Sequence, residues 1–123
     1  MISYVTIGTN DLDRAAKYYD ELLAELGAKR TMDTERIILW GTGPGAPMLA
    51  VCKPFDGSAA SVGNGVMVAL AASSAEQVAA IHAKALELGG TDEGAPGPRG
   101  DGGMTIGYFR DPDGNKLNAI HMG

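Results

Sequence analysis

Apolar positions along this chain follow two spacings, and the two alternate in a fixed order. Residues 2–8, "ISYVTIG", are β-branched and aromatic almost throughout and predict a strand. Beyond them Leu12, Ala15, Ala16, Tyr19, Leu22, Leu23 and Leu26 fall at helical spacing, which predicts a helix with one apolar face. Asn10 or Asp11 can cap its start, and Gly27 suits its end. A second strand pattern, "GVMVALA", begins at Gly65. The helix pattern after it opens with the capping-box spacing of Ser73 and Glu76 and stops at Gly89 and Gly90. Three short strand candidates follow each helix: 28–32, 36–40 and 47–53 in the first half, and 91–93, 104–109 and 116–121 in the second. "GTGPGAP" is the expected hairpin between 36–40 and 47–53.

The two halves are one pattern used twice. A shift of 63 positions lays Ala75, Val78, Ala79, His82, Ala85 and Leu86 on Leu12, Ala15, Ala16, Tyr19, Leu22 and Leu23. The match lies in the apolar face and not in residue identity. The repeating unit is βαβββ, which gives an α+β fold of two tandem modules in one domain spanning 1–123. Module 1 covers about 1–55, a linker about 56–63 and module 2 about 64–123. A unit of about 60 residues is marginal alone, so two should share a core or dimerise. Helices cover only one face of each sheet. The other faces are expected to form a cupped mixed β-sheet around a cleft, with the helices on the outer face. "EGAPGPRGDGG" is too rich in Gly and Pro for a regular element and predicts a lid loop that carries Arg99.

The last strand pattern begins after a turn. Asp111 can accept a hydrogen bond at its first position, Pro112 pre-sets φ, and Gly114 supplies the close. Alternation then puts Leu117 and Ala119 on one side, and Lys116, Asn118 and Ile120 on the other. Asn118 holds the inward polar position, where a carboxylate would be suited to chemistry.

Composition narrows the function classes. A hydrophobic share of 45% with 20% charged residues is ordinary for a globular protein. The net charge of −5 argues against nucleic acid as a partner and points to neutral or cationic ligands. No apolar run approaches the ~20 residues of a membrane span, and no signal-peptide core opens the chain. The expectation is a cytoplasmic protein with no membrane partner. A single cysteine, Cys52, excludes an internal disulfide and every multi-cysteine metal motif.

The doubled frame, with "NDLDRAAKYYDELLAELG", "VGNGVMVALAASS", "ALELGG" and "YFRDPDGNKLN" in order, resembles the vicinal-oxygen-chelate superfamily across essentially the whole chain. That superfamily groups glyoxalase I, bleomycin-resistance proteins, fosfomycin-modifying enzymes and extradiol dioxygenases. The resemblance implies one divalent ion held by His, Gln or Glu at four strand positions. Carried over by motif, those positions fall on Tyr4, Ala50, Met67 and Asn118. Neutral Tyr and Asn bind hard cations weakly, Met prefers soft ions, and Ala cannot bind. The expectation is therefore no metal and no other cofactor.

If those four positions point inward, alternation adds Thr6, Met48, Cys52, Ala69 and Ile120 to them, and Tyr108 joins because Phe109 and Leu117 read as helix-side core. His82 reads as a core histidine and His121 as lying on the opposite strand face from Asn118. Such a cleft suits an apolar or aromatic ligand held by a few hydrogen bonds. The leading expectation is a metal-free small-molecule binding protein, with an antibiotic or an aromatic compound as ligand, which resembles the bleomycin-resistance branch. The alternative is a metal-independent lyase or isomerase, or another glyoxalase-related enzyme, with Tyr4, Tyr108 and Cys52 as its candidate catalytic groups. The relatives implied by the resemblance pair as homodimers, and a homodimer is expected here too.

Overall fold

A computed structural model describes all of residues 1–123, and each predicted strand or helix pattern forms its element. The first half runs β1 (Tyr4–Gly8), α1 (Leu12–Ala24), β2 (Lys29–Asp33), β3 (Ile37–Gly41) and β4 (Met48–Cys52). The second runs β5 (Val68–Ala71), α2 (Ala75–Glu87), β6 (Thr91–Arg99), β7 (Met104–Arg110) and β8 (Lys116–His121). Each half makes its own four-stranded mixed sheet, in the orders β1-β4-β3-β2 and β5-β8-β7-β6. β1–β4 and β5–β8 pair in parallel, and the remaining pairs are antiparallel. The chain is α+β, with two tandem βαβββ modules. Its compact units are Met1–Ser61 and Val62–Gly123.

In module 1 the face of the sheet toward α1 carries Ile7, Leu49, Val51, Ile38 and Trp40, all buried. Against them lie Ala15, Ala16, Tyr19, Leu22 and Leu23, as the spacing predicts, and also Tyr18. Tyr19 stands between Tyr18 and Trp40, with ring centroids 5.1 and 5.8 Å away. A polar link ties helix to sheet. The Trp40 indole N–H donates to Asp20 Oδ1 at 2.9 Å, while Arg30 donates from Nε and Nη2 to the two oxygens of the same carboxylate at 2.8 and 2.7 Å.

Module 2 buries Leu70, Val78, Ile81, Ala85, Phe109, Leu117 and Ala119. Ala75 and Ala79, expected on the apolar face, are exposed. Ile81, the counterpart of Tyr18, is buried in their place, because the face of α2 centres on Val78, Ile81, His82 and Ala85. His82 is a core histidine as expected. Its Nε2 lies 3.0 Å from Asp92 Oδ1 and 3.1 Å from the Tyr108 carbonyl, which joins α2 to β6 and β7. Gly107 permits this approach, since a Cβ there would stand 3.3 Å from the imidazole and 3.1 Å from Pro96.

One local expectation is narrowed and two need correction. Of the two cap candidates for α1, the structure selects Asp11, which accepts from the Arg14 amide at 3.0 Å. The cap of α2 is Ser74, one residue later than expected: its hydroxyl accepts from Gln77 N–H, and Gln77 Oε1 accepts from Ser73 N–H at 2.7 Å. The larger correction concerns "EGAPGPRGDGG". Residues up to Arg99 are strand and not lid loop, and only 100–103 turn. β6 lies at the sheet edge, and its register shifts between Asp92 and Gly94 and again between Gly94 and Gly97. An edge strand with bulges tolerates the missing proline N–H and the glycines that would break a central strand.

Replacing Asp20 by Ala leaves the buried indole N–H of Trp40 without its acceptor. The expected cost is about 1–3 kcal/mol, read as a lowered urea midpoint. Hydrogen bonds from Arg30 hold the Asp20 carboxyl below its ordinary range, and the Gly94 amide, followed by His82, does the same for Asp92. A carboxylate with a depressed native value stabilises fully above its unfolded value, and that contribution fades as pH falls through the native one. The urea midpoint should therefore drop below about pH 4, and drop less steeply in Asp20→Ala.

Candidate functional site

Strand alternation divides every sheet residue between a face toward the helix and a helix-free face, and the predicted site residues sort to the latter. In module 1 Tyr4 pairs with Met48, Thr6 with Ala50 and Gly8 with Cys52, while β3 sets Leu39 beside Ala50 and Ile37 beside Cys52. Tyr4 is half exposed, Thr6 is exposed, Met48 and Cys52 are partly buried, and Ala50 is fully buried. The Thr31 hydroxyl donates to Met48 Sδ at 3.2 Å. Cys52 is a free thiol.

In module 2 Ala69 pairs with Asn118 and Ala71 with Ile120, while Tyr108 faces Asn118 and Ile106 faces Ile120 from β7. Met67 immediately precedes β5 and is partly exposed. The internal register makes Ala50 the counterpart of Asn118, since Thr6 opposes the first as Ala69 opposes the second. His121 ends β8 with Nδ1 3.2 Å from the Ala72 carbonyl. The turn before β8 is built as the sequence suggests. Buried Asp111 accepts from the amides of Asp113 and Asn115, both at 2.9 Å, and Gly114 takes φ +91°.

Asn118 is 3% exposed, and its two amide atoms differ in satisfaction. Nδ2 donates to Met67 Sδ at 3.7 Å, whereas Oδ1 is buried with no donor. The thioether accepts but has no hydrogen to give, so the amide nitrogen is correctly the atom beside it. A buried carbonyl without a donor costs about 1–3 kcal/mol.

Around Tyr108 the sequence reading missed a second feature. Arg99, the last residue of β6, holds its guanidinium 5.7 Å from the Tyr108 ring centroid, and Lys116 Nζ lies 5.5 Å from it. Arg99 donates to the carbonyls of Gly97 and Ala95 at 3.0 and 2.7 Å. Neither cation has a carboxylate partner. Arg110, on the same face, is paired with Glu93 and donates to the Gly114 carbonyl. The signal was legible: the alternation that puts Asn118 inward puts Lys116 beside it. Two recesses elsewhere in module 1, one around Asp20 and Trp40 and one around Asp11, Asp33 and Lys53, share Arg30, which is paired with both Asp20 and Asp33.

A family model described as the Glyoxalase/Bleomycin resistance protein/Dioxygenase superfamily matches residues 1–119. The chain belongs to this superfamily. A glyoxalase/bleomycin resistance protein from Albidiferax ferrireducens is 38% identical, with 100% of this chain and 99% of that one covered and a TM-score of 0.92. A glyoxalase-related enzyme from Fulvimarina pelagi is 21% identical at a TM-score of 0.76, over 98% of this chain and 87% of that one. A lactoylglutathione lyase from Agrobacterium tumefaciens is 20% identical at a TM-score of 0.71, over 98% and 92%. These last two share the fold. No curated protein matches the chain.

The resemblance to metal-dependent members implies a divalent ion at Tyr4, Ala50, Met67 and Asn118, and these residues do not fit one. A phenol, a methyl, a thioether and an amide supply no anionic or imidazole donor for a hard or borderline ion. The Asn118 nitrogen is engaged by Met67, and no cluster of three or more His, Cys, Asp or Glu could hold a metal elsewhere. Protein dialysed after exposure to Mn, Ni, Zn or Fe should retain only substoichiometric metal by elemental analysis. Stoichiometric retention would overturn this assignment.

Proposed function

We propose that this superfamily member binds a small organic molecule on the helix-free faces of its sheets and uses no metal to do so. The observation that carries the reading is Asn118 Oδ1, buried without a donor on a face that presents Tyr108, Ile106, Ile120 and Ala69 together with Lys116 and Arg110. Native proteins satisfy such an atom with water or a ligand. An apolar and aromatic lining with a few convergent polar groups is what small-molecule sites are made of. Sequestration of an antibiotic or an aromatic compound, as in the bleomycin-resistance branch that the chain resembles, follows from binding alone. A ligand at a hundred times its Kd stabilises the native state by about 2.7 kcal/mol, so a true ligand raises the melting temperature by several degrees. A broad set of antibiotics and aromatic metabolites that leaves the melting temperature unmoved would end this reading.

One observation favours a second reading, a metal-independent lyase or isomerase. The Tyr108 hydroxyl has no partner in the protein, and its ring lies beside two cations. Tyr4 and Cys52 are the other candidate groups. Chelator-insensitive turnover lost in Tyr108→Phe or Tyr4→Phe would establish the enzyme, and full turnover in a variant lacking both phenols and the thiol would dismiss these groups.

We also infer a cytoplasmic homodimer. Each sheet leaves two strand edges, β1 and β2 in module 1 and β5 and β6 in module 2, and Tyr4, Met32, Phe55, Val66 and Met67 are exposed. Edges and apolar patches of this kind are usually covered by association, most often with two-fold symmetry. Light scattering should give twice the chain mass of 12.7 kDa. A monomer mass that persists as concentration rises would remove the dimer.

A further inference from the structure

The helix-free face of module 2 carries more positive charge than it neutralises. β6, β7 and β8 bring three cations to this face, and they are treated differently. Arg110 is neutralised by Glu93. Arg99 and Lys116 are not: neither has a carboxylate within ion-pair distance, and both stand within 6 Å of one aromatic centroid. Both cations stand over the Tyr108 ring, so an anion at the edge of that ring is attracted by both. Arg99 is also held in place before any ligand arrives, by its bonds to the Gly97, Pro98 and Ala95 carbonyls. A guanidinium has five N–H groups, so hydrogens remain on Nε and Nη2 after these three bonds.

The second observation is independent of charge. Tyr108 is directly cross-strand from Asn118, and Lys116 is the next residue of β8 on the same face, about 7 Å along the strand. The orphaned Oδ1 of Asn118 therefore belongs to the same patch as the two free cations. It can only accept. Met67, which lies against the amide, is flexible and partly exposed, so it can yield to a ligand without disturbing the core.

We propose that this face takes an organic anion: a carboxylate held by Lys116 and Arg99 beside the Tyr108 ring, in a molecule that also presents an O–H or N–H donor to Asn118 Oδ1. This rests on the small-molecule reading above and gives it a ligand class. It also reverses the sign suggested by the net charge of the chain. Arg99 and Lys116 set the acid end and Asn118 the donor end, and the Tyr108 ring, over which both cations stand, lies next to both ends.

The test uses matched trios on three scaffolds, 4-hydroxyphenylacetate, indole-3-acetate and glycolate, each with its amide and with its O- or N-methyl derivative, titrated calorimetrically into the intact protein. In at least one trio the acid should bind about tenfold or more tighter than both its amide and its methylated form, because a charged hydrogen bond and a buried acceptor are each at stake. Added NaCl should weaken the acid and leave the amide unchanged. Lys116→Gln, a partly exposed position whose variant should keep the wild-type urea midpoint, should bring acid and amide to similar affinity. Asn118→Leu should bring the acid and its methylated form together, and where that variant does not fold, the methylated ligands make the same comparison on the wild-type protein. Amides that bind as tightly as acids, or a Lys116→Gln variant that still discriminates, would overturn the anion class. If all nine compounds fail while the broad screen yields a ligand, the anion assignment alone falls. Failure of both removes the small-molecule reading with it.

Discussion

One helix can cover one face of a four-stranded sheet, and the remaining architecture of each module follows from that limit. The covered faces hold Ile7, Leu49, Val51 and Trp40 in module 1, and Leu70, Phe109, Leu117 and Ala119 in module 2. Burying each of the larger aliphatic and Phe side chains stabilises the fold by roughly 1.5–3 kcal/mol, which fixes strand register as well as stability. A one-residue slip would turn Leu117 outward and Asn118 toward the helix. The register that protects the core therefore also presents Tyr4, Thr6, Tyr108 and Asn118 on the face without a helix.

Both modules also tie their helix to their sheet with a polar link, and the links are made of different residues. In module 1 Asp20 of α1 receives Trp40 of β3 and Arg30 of β2. In module 2 His82 of α2 reaches Asp92 of β6 and the Tyr108 carbonyl of β7. The repeat preserves a mechanical requirement and not the side chains that meet it. His82 is the counterpart of Tyr19, so a position filled by an aromatic anchor in one module holds a hydrogen-bonding one in the other. That bond fixes the backbone at Tyr108, which places the second link under the candidate site.

Element order, both helices and the inward-facing alternation were legible because they rest on short-range periodicity. Residues such as Val5, Ile7, Leu117 and Ala119 declare their face through their neighbours. β6 beyond Glu93 was not legible, because Pro96, Pro98, Gly94 and Gly97 carry strong loop propensity that an edge strand with two bulges overrides. The buried Tyr18 and Ile81 escaped because helix-face counting tracked a narrower stripe than the sheet covers. At the site, Asn118 could be found from alternation after the Asp111–Gly114 turn. The orphaned state of its carbonyl could not, since it depends on the side-chain orientation that puts Nδ2 on Met67. The approach of Arg99 and Lys116 to one ring likewise depends on strand pairing across β6, β7 and β8.

The amide at position 118 and the free charge at position 116 explain each other. A carboxylate at 118 would lie about 7 Å along the strand from Lys116, on the same face, and would offset much of its charge. With Asn118 that compensation is absent, and Glu93 is already committed to Arg110. The net charge of −5 is a sum over the whole chain, whereas the face around Tyr108 holds Arg99 and Lys116 with no carboxylate partner. An amide at 118 therefore has two consequences at once: it gives a cation no anionic donor, and it gives Lys116 no counter-charge.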